Sequence, residues 1–283
     1  MTNYLIAEEQ VSGRRLGRNV NHDVRSLRFL VSSPARELKS TEHERVIPVL
    51  DQGDLGSCTG NAAVGALGTK PLYDALPSGH PALDEDLAVK VYSAATSLDP
   101  FDGEYPPTDT GSDGLSAAKA CKNLGLISGY LHATSLEAMQ NALQDTPVIV
   151  GVNWYEGFDN PDSNGLVSVS GKVRGGHEFE VVGVDMEQQR FHAINSWGLG
   201  FGKDGHFWFS FDSMTRLLSE DGDCTQLVPL SVPAPGPTPT PTDVTFPGAT
   251  AEVEARIRAA ASRADLSLAD WQNKHYRSYF KMH

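Results

Sequence analysis

The run Asp51-Gln52-Gly53-Asp54-Leu55-Gly56-Ser57-Cys58-Thr59-Gly60-Asn61 constrains this chain most, because it sets one cysteine where an apolar, alanine-rich stretch begins to read as a helix. The first N–H groups of a helix lack intrahelical partners and carry partial positive charge, so a Cys seated there is expected to have a favoured thiolate and a lowered pKa. Ser57 is the expected N-cap, and the helix is expected to run to about Leu72. Gly60, Gly65 and Gly68 each cost ~1 kcal/mol against Ala there, so the helix has to be held by burial against closely packed neighbours. Gln52 lies upstream, where its side-chain amide could be aimed at the same spot. Further along, Gly175-Gly176-His177 opens an apolar run over 179–184, and Ile194-Asn195-Ser196-Trp197-Gly198 closes another. Gln, Cys, His and Asn therefore follow one another in that order.

That order resembles the papain-like (C1) cysteine peptidases, and more closely their bacterial and viral branch, in which the nucleophile sits in a Gly-Ser-Cys-Thr context. The resemblance covers roughly residues 14–230. Asp109-Thr110-Gly111-Ser112 ahead of a helix, the strand-like Pro147-Val148-Ile149-Val150-Gly151, and Gly202 with Gly205-His206-Phe207 after Trp197-Gly198 agree with it. It implies Cys58 as nucleophile and His177 as its acid/base in a thiolate/imidazolium pair. Asn195 would fix the imidazole, Gln52 and the Cys58 backbone N–H would bind the oxyanion, and Trp197 would shield the His/Asn hydrogen bond. A substrate cleft of Gly56, Ser57, Gly111, Gly175, Gly176 and Trp197 follows from the same resemblance, and no cofactor or metal is implied. Two positions depart from the pattern. Thr59 stands where the lysosomal enzymes have an aromatic residue, which alters the primed side of the cleft. Glu178 follows His177 where a small apolar residue is expected, and on an alternating strand it reads as facing solvent.

The implied fold class is α+β, a two-lobe papain-like arrangement with the nucleophile helix in a helical lobe and an antiparallel β lobe after it. Helices are expected over 84–98 and 115–124, the latter burying Cys121 with Ala117, Ala118 and Leu124. A capping box, Thr134-Ser135-Leu136-Glu137, is expected to open a further helix to Leu143. Strands are expected over 148–154, 166–169, 178–184, 191–195 and 206–211. The nucleophile then lies on one half and His177 and Asn195 on the other, so they would meet in a cleft.

Domain boundaries are expected at 1–45 for an N-terminal arm, 46–230 for the peptidase-like domain, 231–248 for a Pro/Thr-rich linker and 249–283 for a helical tail. The linker reads as a semi-rigid spacer without a packable pattern. Trp271, Tyr276, Tyr279 and Phe280 are more aromatic surface than so short a tail can bury, which makes it a candidate docking module for an assembly partner.

With 283 residues, 40% of them apolar, the chain can build a sizeable core. No run of 18 or more apolar residues is present and the first ten residues lack a basic start and apolar centre, so neither a membrane span nor a Sec-type signal is expected. Synthesis in the cytoplasm, with association with a virion or export by another route left open, fits that reading. With Cys58 free, only Cys121 and Cys224 remain to pair, so no disulfide framework is expected. A net charge of −13 argues against nucleic acid as the partner. His22, His43, His80, His132, His192, His206 and His275 show no metal spacing. The expected function is cysteine peptidase acting on polypeptides. The alternatives are a hydrolase of peptidoglycan stem peptides and a papain-like structural subunit, for example of a phage particle.

Overall fold

The computed structural model describes residues 2–8, 14–23, 29–31 and 36–231. The expected linker beyond residue 231 and the expected tail helices lie outside the described residues, as does His275.

Three short strands come first: β1 (Thr2–Tyr4) pairs antiparallel with β2 (Val20–His22), and β3 (Thr41–Glu42) joins the main sheet. Helices α1 (Cys58–Leu67), α2 (Glu85–Thr96) and α3 (Gly114–Asn123) follow. The last two start as short acidic side chains dictate. Asp84 accepts from the Leu87 N–H at 3.1 Å and Asp113 from the Ser116 N–H at 2.9 Å. In α1, by contrast, Ser57 occupies the N-cap position without capping, its hydroxyl donating instead to Asn61 Oδ1 at 2.8 Å. The helix also stops at Leu67, short of Leu72, where the Gly68 N–H closes the last turn on Val64 and Gly65. Every residue of α1 is buried. A Cβ on Gly60 would strike the Ala88 carbonyl and Tyr92 of α2, so this glycine serves the close packing that its low propensity demanded.

Next come β4 (Gly129–Ala133), α4 (Leu136–Ala142), β5 (Val148–Tyr155), β6 (Val173–Asp185), β7 (Arg190–Ile194), β8 (His206–Ser210), α5 (Phe211–Ser219) and β9 (Asp223–Val228). The cap of α4 is Ser135, one residue later than the expected box, accepting from the Ala138 N–H at 3.1 Å. The sheet runs β4-β9-β5-β6-β7-β8 with antiparallel neighbours throughout, and β3 pairs with the far end of β6. Two strand expectations are corrected. Residues 166–169 make a single bridge, Leu166 to Trp208, and Phe211 leaves the sheet to open α5, capped by Ser210.

The architecture is α+β with two cores. One lies within the β half and is dense in aromatics, including Trp154, Phe158, Phe179, Phe207 and Phe209. The other packs α1, α2 and α3 together. Strand β5 serves both: Val148, Val150, Val152 and Trp154 enter the first core, while Ile149 enters the second. Each fully buried Val or Phe contributes about 1.5–3 kcal/mol, so β5 and β6 bind the two halves firmly. Helix α1 packs directly on β6, which sets Cys58 beside the strand that carries His177.

Candidate active site

Cys58 is the first residue of α1, His177 lies mid-way along β6 opposite Val152 of β5, and Asn195 follows β7 directly. His177 Nε2 and Asn195 Oδ1 are 2.7 Å apart. A carboxamide oxygen only accepts, so Nε2 carries the proton and Nδ1 is left as a bare acceptor. Nδ1 is buried and has no hydrogen-bond partner. The Ser196 N–H also donates to Asn195 Oδ1 at 2.8 Å, which fixes the carboxamide. The imidazole packs against two indoles that also touch each other, with ring centroids 4.7 Å away for Trp197 and 4.8 Å for Trp154. Trp197 is the nearer of the two. Trp154 was missed as a site residue; the usable signal was its parity with Val152, which places both on the face of β5 toward the histidine. Burial pulls His177 down to about 4, partly offset by the Asn195 bond, so the ring is neutral at pH 7.

The thiol does not behave as its helix start alone would dictate. Burial pushes Cys58 far above the ordinary thiol range. The backbone N–H groups of Glu178 and Thr59 reach the sulfur and work in the opposite direction, while the charges of Glu178 and Glu8 add to the rise. A helix N-terminus is worth about 0.3–1 kcal/mol, whereas burying a charge costs several kcal/mol, so desolvation wins. Cys121 is raised to about 12 and Cys224 well above its usual range, both by burial first, and all three cysteines are free.

The N-terminal arm runs against Gly56, two residues before the thiol, and against Gly176, next to His177. The Gly17 and Arg18 N–H groups both donate to the Gly176 carbonyl, at 3.0 and 2.9 Å, and the Ser112 N–H donates to the Gly17 carbonyl at 2.9 Å. The Asn19 N–H returns to the Ser112 carbonyl at 2.7 Å. Gly17 has φ 154° and lies so close to Gly56 that a Cβ would collide with its carbonyl oxygen. Gly111 meets the Gly17 carbonyl, Gly176 the Arg18 carbonyl and Gly175 the Leu16 side chain. The structure therefore brings Gly56, Gly111, Gly175 and Gly176 together around one extended segment of the chain itself, while Ser57 is buried at the start of α1.

Gln52 takes part in the same contact. Its Nε2 donates to the Arg15 carbonyl at 3.1 Å and the Leu55 carbonyl at 2.9 Å, and its Oε1 accepts from Ser196 Oγ at 2.7 Å. Trp197 Nε1 donates to the same Arg15 oxygen at 3.2 Å. Two side-chain donors of the site thus converge on one peptide carbonyl.

Glu178 corrects the sequence reading outright. It does not face solvent: it is 0% exposed, and neither carboxyl oxygen has a hydrogen-bond partner. Burial, reinforced by Asp223 and opposed by Arg18, drives its carboxyl well above the usual range. Thr59 is also fully buried, with its hydroxyl unpartnered. Among the described residues no cluster of His, Cys, Asp and Glu has the arrangement of a metal site.

No protein-family model matches the sequence, and no curated protein matches it. Solved structures do. Xylellain, a cysteine protease from Xylella fastidiosa, superposes with a TM-score of 0.59 at 20% identity, covering 78% of this chain and 100% of that one. Digestive procathepsin L 3 of Tenebrio molitor larval midgut gives 0.51 at 17% identity, covering 76% of each chain. This is a papain-like fold. A third likeness, the proform of the ragweed pollen allergen Amb a 11, a cysteine protease, has a TM-score of 0.50 at 17% identity over 75% of this chain and 70% of that one. In papain-like terms, the helical lobe is built on α1 to α3 and the β lobe on the sheet from β5 to β9.

Proposed function

We propose that this chain is a cysteine peptidase that hydrolyses peptide bonds through an acyl-enzyme on Cys58, with residues 14–19 covering the site until they are displaced. The observation that carries the reading is the buried His177, with Nε2 held by Asn195 and Nδ1 bare, on the strand whose next backbone N–H reaches Cys58 Sγ. The solved structures of like fold are cysteine proteases, which supports the same chemistry.

In this reading His177 Nδ1 takes the Cys58 proton and the thiolate attacks the substrate carbonyl. The negative oxygen is received by Gln52 Nε2 and the Cys58 N–H, and the Arg15 carbonyl marks a place where a peptide oxygen already meets Gln52. His177 then gives its Nδ1 proton to the leaving amine, and water, deprotonated by the same nitrogen, releases the acid and restores the thiol.

The test is a full-length Gly17→Val chain, in which the added side chain cannot fit against the Gly56 carbonyl and the arm is expelled. It should be labelled at Cys58 by an epoxysuccinyl thiol inhibitor and should cleave casein, while Gly17→Val/Cys58→Ala does neither. Cleavage of purified peptidoglycan but not casein would move the assignment to stem-peptide hydrolysis. Absence of both labelling and cleavage would favour the structural-subunit reading, which the covered thiol of the intact chain also suits.

A further inference from the structure

Arg18 is an unusual residue to find inside a protein: its side chain is only 1% exposed, and it is supplied by the arm rather than by either lobe. Its Nε donates to Asp223 Oδ2 at 3.2 Å, and Nη2 donates both to that oxygen and to the Asp221 carbonyl, the latter at 2.6 Å. Nη1 has no hydrogen-bond partner. The guanidinium lies against Gly151 of β5 and Asp223 of β9, near Glu178 of β6. Glu178 of β6 and Asp113, the cap of α3 at 1% exposure, complete an acidic chamber with Asp223, whose side chain is 19% exposed. Gly114 and Gly151 form its walls, and a Cβ on either would run into the Glu178 carboxyl. Glycine at both places leaves room for that group.

As a structural anchor this chamber is poorly designed. A buried ion pair rarely adds net stability over apolar side chains of similar size, and an unpaired buried carboxyl costs about 1–3 kcal/mol more. Asp223 and Glu178 both act on the one cation, and Glu178 offers two oxygens that Arg18 does not take up. The chamber is also part of the covered cleft. The Gly176 carbonyl that holds the Arg18 N–H precedes His177, and the Glu178 N–H reaches Cys58 Sγ. Withdrawal of the arm would leave an acidic hole near the thiol, of a shape already fitted to a guanidinium fork.

We propose that this chamber is a binding subsite for the arginine side chain of a peptide, with Glu178 and Asp223 as its selectivity-determining carboxylates and Arg18 as its resident occupant. The inference rests on the peptidase reading only in calling that peptide a substrate; binding itself is measured without turnover.

The test uses the full-length Cys58→Ala/Arg18→Ala chain, with Cys58→Ala/Arg18→Gln in parallel so that a folding failure of one variant leaves the comparison intact. Each is titrated calorimetrically with an acetylated, amidated tripeptide carrying arginine, leucine or citrulline at its centre. The arginine peptide should bind at least tenfold more tightly than the other two, and adding Glu178→Gln or Asp223→Asn should remove most of that preference. Equal binding of arginine and citrulline peptides would overturn the subsite, even if Gly17→Val cleaves casein. Selective arginine binding in a chain that never labels at Cys58 would uphold the subsite and defeat catalysis. With Cys58 restored, the Arg18→Ala chain should turn over fluorogenic peptides with arginine at one fixed position at least tenfold faster in kcat/KM than their leucine counterparts.

Discussion

His177 is governed by its two indole neighbours and by burial, since no carboxylate contacts its bare nitrogen. Its folded value of about 4 lies below the ~6.5 of the unfolded chain. As pH falls, the unfolded state takes up this proton first, so the contribution of the ring to stability is complete above the unfolded value and is lost on the way down to pH 4. The difference in unfolding free energy between Cys58→Ala and Cys58→Ala/His177→Gln should therefore shrink by on the order of 2–3 kcal/mol from pH 7 to pH 4.5, measured by denaturant melts. A gap independent of pH would mean that the ring is solvated. In the Gly17→Val background, Asn195→Ala should lower kcat by roughly 10–100-fold with little change in KM, since Asn195 acts through the imidazole. A rise in KM alone would place Asn195 in substrate binding. In the intact chain, iodoacetamide should modify Cys58 no faster than Cys121 or Cys224, because all three are buried. The order of Gln52, Cys58, His177 and Asn195 made these residues legible in the sequence. Glu178 was not legible, because alternation assigns a solvent side only when a strand has one, and residues 174–184 of β6 are buried on both faces.

At the scale of elements, α1 shows packing overriding propensity. Gly60 sits where α1 crosses α2, and Gly60→Ala would gain ~1 kcal/mol of helix propensity while pushing a methyl group into the Ala88 carbonyl and Tyr92. Overpacking of this kind costs about 1–3 kcal/mol, so the variant should be destabilised, by up to ~2 kcal/mol in a urea melt. A stabilised Gly60→Ala would mean that α1 and α2 lie farther apart. Helices with acidic caps and strands with apolar runs were readable, as Asp84, Asp113 and β5 show. β4 and β9 escaped because their strand character is borrowed: Gly129–Ala133 and Asp223–Val228 are mixed in polarity, and each becomes a strand by pairing with the other and, for β9, with β5. α5 escaped because only Met214 and Leu217 of it are fully buried, and because an aromatic strand runs straight into it at Phe211.

For the molecule as a whole, the described residues already close both cores. The start of the chain is woven in: the buried Arg18 guanidinium is held by the part-exposed Asp223 carboxyl, and Asn21 of β2 donates to Asp113 Oδ2 at 3.0 Å. The β-half core, by contrast, is closed by Leu217 and Cys224, and the helical one by Leu227, all ahead of the Pro/Thr-rich stretch. Residues 1–236 form one compact unit. A chain ended at Gly236 should accordingly keep its Tm within ~2 °C of the full-length protein, since for lobes of this size a change of that order corresponds to less than about 1 kcal/mol. Gly17→Val should lower Tm by more than that while exposing the thiol, because it breaks contacts made by the buried part of the arm. The two variants give opposite answers if the lobes are complete without the C-terminal residues but not without the arm. If the Gly236 truncation instead unfolded the protein or exposed Cys58 to iodoacetamide, residues beyond 236 would belong to the peptidase body, and a separate docking role for the tail would be wrong.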